Sequence, residues 1–138
     1  MHSILYVFHL ILGVGLGFFL LLPWWTARLS RLSGLRLTGY LMAIQHAVVA
    51  GHWLIWLVIV TGGALLWFAD RPVYWIYAVL AISGSVAWLI PHLSREIGKA
   101  AGEKELEAIR LERIRNLSFA TSVCILLMVV LMGYPHLF

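Results

Sequence analysis

Four histidines stand where an ionisable side chain is costly. His9 falls inside the apolar run that begins at Ser3, His46 and His52 fall within Gln45–Trp56 of the next run, and His92 lies near the end of a third. Polar groups at such depth are rare in hydrocarbon and tend to mark a site. Neutral imidazole is a good axial ligand for haem iron, and haem is a flat, mostly apolar disc that fits between helices. Counting about 1.5 Å per residue, His9 lies about 24 Å from Trp25 and His52 about 20 Å from Gly39. The two are therefore expected to face each other across one b-type haem. His46 lies about 10 Å from Gly39 and His92 within about 3 Å of Ser94, which makes them candidates for a second haem if the second helix begins a turn later.

Spacing divides these residues between faces. His46 and His52 are six residues apart, about 240° around a helix, so they cannot hold one small metal ion together. Gln45, seven residues before His52, and Trp56, four after it, share its face and are expected to line the site. Gly13 follows His9 by four residues on one face, and Gly13-x-x-x-Gly17 forms a small-residue stripe that would admit another helix or a flat ligand. The spelling Gly13-x-Gly15 is not a nucleotide fingerprint, because no strand precedes it.

Other chemistries have less support. The histidines could instead hydrogen-bond to neighbouring helices, with Thr61, Ser83, Ser85, Thr121 or Ser122 as partners, contacts worth about 0.6–2 kcal/mol. Cys124, Met128 and Met132 recur at i, i+4 and i+8, a soft stripe that would suit Cu(I), although methionine on such helices is mostly packing material. No Asp, Glu, Lys or Arg falls inside an apolar run, which argues against proton relay and ion transport. No nucleophile–base set is visible.

The elements that must position these groups are membrane helices. The 138 residues are 62% hydrophobic and 12% charged, against about 45–50% and about 25% in soluble domains. The bilayer must therefore be the solvent. Four spans are expected, at about residues 3–25, 40–68, 73–93 and 116–135, in one all-α domain. Residues 26–39 read as a short basic loop. Asp70-Arg71-Pro72 reads as a tight turn, and Pro91 should loosen the end of the third helix. Trp24-Trp25 and Tyr74, Trp75 and Tyr77 read as interfacial belts, with His2 and His136 at the outer surface. Residues 94–115 hold Glu96/Lys99, Glu107/Arg110 and Glu112/Arg115 at i, i+3, the pattern of a solvated helical extension.

Nine of the ten Lys/Arg residues lie in the first and third loops, which predicts that both termini face outward, as in a bacterial inner membrane. That same placement explains the net charge of +4 without nucleic acid. The first helix has neither a basic lead-in nor a cleavage site and is expected to be retained. The lone Cys124 says nothing about redox compartment.

His9 early in the first helix, followed by glycines and Phe18-Phe19 before a basic loop, resembles small four-helix bacterial membrane proteins. HemJ-type protoporphyrinogen oxidases are one such group and CopD-like copper-resistance membrane domains another. The HemJ resemblance implies a functional role for His9 and haem or porphyrin chemistry. This chain has Gly13–Gly17 where that pattern carries a tryptophan, and no lysine in residues 73–93 where it carries one. The expectation is a haem b protein passing electrons beside a larger redox partner or as a homo-oligomer. The alternatives are a cofactor-free anchor or assembly subunit and a HemJ-like oxidase.

Overall fold

The computed structural model describes residues 2–67, 72–103 and 107–133. Four helical segments are long and apolar enough to cross a membrane: Ser3–Arg31, Gly34–Leu66, Val73–Ala101 and Ala108–Met132. The chain is thus a multi-pass, all-helical membrane bundle. The expected Asp70-Arg71 turn and His136 lie outside the described residues.

The first span is composite. It consists of α1 (His2–Gly17), a 3-10 turn at Phe18–Leu21, α2 (Leu22–Ala27) and a second 3-10 turn at Arg28–Arg31. Pro23 explains the first break, since it has no N–H to give the carbonyl of Phe19 four residues back. Leu22 N–H reaches that carbonyl within the 3-10 turn, and the Ser122 hydroxyl donates to it as well, at 2.9 Å from another helix. A neighbour's hydroxyl commonly rescues a broken helix in this way inside hydrocarbon.

The expected loop at residues 26–39 shrinks to Leu32 and Ser33, both extended, before Gly34 turns the chain with φ 58°. Only glycine adopts that conformation without strain. Arg28 and Arg31 end the first span and Arg36 lies in the first turn of the next. Long arginine stems can run along apolar surface while their heads reach water, so arginine did not require a loop here.

The remaining spans are α3 (Gly34–Leu66), α4 (Val73–Ala101) and α5 (Ala108–Gly133). α3 packs on α4, α4 on α5, and the first span against α3 and α5. The buried seam of α4 runs Val79, Ser83, Val86, Ile90, Leu93, Ile97, in alternating steps of four and three. That of α3 runs Leu37, Leu41, Ile44, Val48, Gly51, Ile55, Val58 by the same rule. Such steps are those of left-handed, knobs-into-holes packing. Buried Ser118 and Thr121 donate to carbonyls of their own helix at 2.8 Å each, so they enter the core without an unmet donor.

Pro72 caps α4 as expected, but α4 continues through Pro91 to Ala101. α5 begins at Ala108, eight residues before the apolar run. Ion pairs join the two extensions. Glu96 meets Lys99 at 3.5 Å as its spacing predicts, and Arg110 reaches across to Glu96 at 3.6 Å and Glu103 at 2.6 Å.

Candidate functional site

Three close approaches set the register of α1 against α3. A Cβ added at Gly62 would lie 3.1 Å from His9 Cε1, one at Gly15 would lie 3.3 Å from Leu54, and one at Gly51 would overlap the Phe19 ring. The pairs run antiparallel, and they place His9 level with Thr61 and Gly62.

His9 and His52 therefore do not face each other. Nine residues separate His52 from Thr61, about 14 Å along the helix, while two ligands of one iron must flank it at the same level. The misjudged depth has a clear cause. From Arg31 back to His9 the first span includes two 3-10 turns, which rise about 2.0 Å per residue, so it covers about 37 Å. From Gly34, Thr61 lies about 40 Å along α3 and His52 only about 27 Å.

Around His9 the geometry defines a site. Its Nδ1 lies 2.7 Å from Thr61 Oγ1. Thr61 Oγ1 also lies 2.7 Å from Leu57 O, so when its one proton is given to that carbonyl it accepts from the imidazole. In that arrangement His9 is the Nδ1–H tautomer and its Nε2 keeps a lone pair. The ring lies at a cavity of about 320 Å³ at the end of the bundle opposite the 32–33 turn. Tyr6 and His9 line it from α1, Gly62 and Gly63 from α3, Trp75 and Ser83 from α4, and Met132 from α5, with apolar side chains between. Gly62 lets the imidazole lie close to α3, and Trp75 spends its indole N–H on Leu131 O at 3.1 Å.

Of the four histidines only His9 lines this cavity, with Met132 of the sulfur stripe and Ser83 among the hydroxyls also on its wall. Gly13 and Gly17 approach nothing: a Cβ at either would meet no atom within 4 Å. His46 is exposed, and its Nδ1–H donates to Met42 O at 2.7 Å. His92 donates likewise to Trp88 O at 3.0 Å, with the Trp88 ring tilted against it at 4.2 Å between centroids. Gln45 lies against Gly98, which sets His46 level with Ile97, five residues and about 7 Å from His92. That second pair is not brought together either.

His52 does share its face with Trp56, whose ring meets it edge-on at 6.4 Å, and Trp53 meets it at 6.2 Å. Its buried Nδ1 has no hydrogen-bond partner. Arg28, Arg31 and Arg36 lie at the far end of the bundle from the cavity, so they cannot meet the propionates of a haem held there by His9.

Thr61 was recognisable as a hydroxyl partner. The roles of Gly62, Gly63 and Met132 at one cavity depend on which faces of three helices converge, and that was not. Among the described residues no group of three or more His, Cys, Asp or Glu side chains gathers to hold a metal ion. No protein-family model, curated protein or solved structure matches the chain.

Proposed function

We propose that this chain is an integral membrane protein that binds b-type haem in the His9 cavity, with His9 Nε2 as the iron ligand. The observation that carries the reading is the His9–Thr61 hydrogen bond. With the Thr61 proton on Leu57 O it orients the imidazole with Nε2 free for a metal, as partners of metal-bound histidines commonly do.

The residues present suit the group. Imidazole nitrogen and thioether sulfur are both haem-iron donors, and Met132 lines the same cavity as His9. Gly62 and Gly63 keep the α3 wall low, as a planar ligand needs. The cavity volume of about 320 Å³ falls at the small end of ligand sites, which span about 300–1,000 Å³.

Bound haem supplies one-electron redox chemistry. The chain's own part is to ligate through His9, to orient that ring through Thr61 and to keep water out with apolar walls. In this role it serves as a small electron-transfer subunit beside a larger redox partner, or as a homo-oligomer. The basic residues gathered at the opposite end support an inner-membrane orientation with both termini outward.

A cofactor-free anchor is the second reading, favoured by the same hydrogen bond, which already satisfies one nitrogen of His9. An absorption spectrum of detergent-purified protein after incubation with haem separates the two. A Soret band that shifts on dithionite reduction supports haem, and a folded protein without one supports the anchor. Rescue of a porphyrin-accumulating strain would turn the reading to the oxidase instead.

A further inference from the structure

The two connections at the basic end of the bundle carry charge in different ways. On the α4–α5 side three cations have partners, Glu96 meeting Lys99, Arg110 and Arg113, and Glu103 meeting Arg110. On the other side Arg28, Arg31 and Arg36 are all exposed, and no ion pair among the described residues includes them. No acidic residue occurs before Asp70, so the first half of the chain offers them none. Three guanidinium groups without ion pairs within nine residues leave uncompensated positive charge at this end of the bundle.

The surroundings favour a lipid as the missing partner. The Arg28 guanidinium sits 3.8 Å over the Trp24 ring, which holds it at the level where indoles settle between headgroups and acyl chains. Leu35, beside Arg36, is 93% exposed at the tip of the turn, and Trp24 is 56% exposed. Apolar surface interleaved with unpaired arginine matches a molecule that is anionic at one end and hydrocarbon at the other. Soluble anions would gain nothing from Leu35 or Trp24.

We infer that Arg28, Arg31, Arg36 and Trp24 form a binding site for an anionic phospholipid, with the phosphate of the headgroup held by the arginines. Arginine suits it because its planar fork gives paired hydrogen bonds to phosphate oxygens. The site is independent of the His9 cavity and of any haem.

Native mass spectrometry of the full chain, released from mixed micelles of phosphatidylglycerol and phosphatidylcholine, tests this. The wild type should retain phosphatidylglycerol preferentially. R28Q/R31Q/R36Q should lower that preference by about a hundredfold, since each basic residue near an anionic surface contributes about a factor of five. K99Q/R113Q should leave it unchanged. An equal yield of both lipids from the wild type would overturn the inference without any variant. So would a triple variant, folded by circular dichroism, that keeps the preference. Displacement of the lipid by millimolar inorganic phosphate would overturn it in favour of a soluble phosphate ligand.

Discussion

Two aromatic rings of the first span lie on glycines of α3, and they do different work. Phe19 rests on Gly51 so closely that no Cβ would fit, with its carbonyl held by Ser122 and its ring 4% exposed. His9 rests on Gly62 eleven residues further along α3, but its polar ring is held by Thr61 beside an open cavity. The same device, a ring over a glycine, makes a filled joint in one place and a cavity wall in the other. The difference lies in what surrounds the ring. At Phe19 the break made by Pro23 is mended by a neighbour and the space is closed. At His9 an oriented nitrogen is left with room before it.

Substitutions that fill or empty these two places should separate them. The largest effect is expected from Gly51→Leu, whose side chain has nowhere to go but through Phe19. The protein should fail to give a folded, monodisperse preparation by size-exclusion chromatography. Gly62→Leu should fold, because it can grow toward the cavity, yet lose haem uptake measured by Soret absorbance. If Gly62→Leu bound haem as the wild type does, the cavity would not be the site.

Smaller effects sharpen the comparison. Thr61→Val removes the partner of His9 and keeps the volume. It should weaken haem binding about 10- to 100-fold in a titration, the usual result of losing such a partner. Ser122→Ala should leave haem binding alone and lower stability by about 1 kcal/mol, the scale of hydroxyl contacts in membranes. Its thermal midpoint checks this.

Much of the architecture was readable because hydrocarbon demands long apolar helices and leaves charge at their ends. The four spans and the helical extension of α4 beyond Leu93 follow from that demand. The faces were harder. Leu41, Val48 and Ile55 point inward and Met42, Val49 and Leu57 outward, yet all are apolar, since lipid tolerates what a core does. Buried hydroxyls such as Thr61, Ser83 and Ser122 mark the inward faces more clearly than the hydrophobes do.

Depth was misjudged for a specific reason. Residues 26–39 hold three arginines and no acid, which reads as a loop, but most of them are helical turns. The 3-10 geometry around Pro23 then shifts every level along α1. The histidine pairs built on that count, His9 with His52 and His46 with His92, came apart accordingly. His9 alone of the four lines the cavity, with Thr61 as its partner.

The most direct measurement compares His9→Ala and His52→Ala in detergent-purified, haem-incubated protein by absorption spectroscopy. His9→Ala should lose the Soret band that shifts on dithionite reduction, while His52→Ala should keep the wild-type spectrum. Retention of that band by folded His9→Ala, or its loss in folded His52→Ala, would contradict the assignment of the iron to His9.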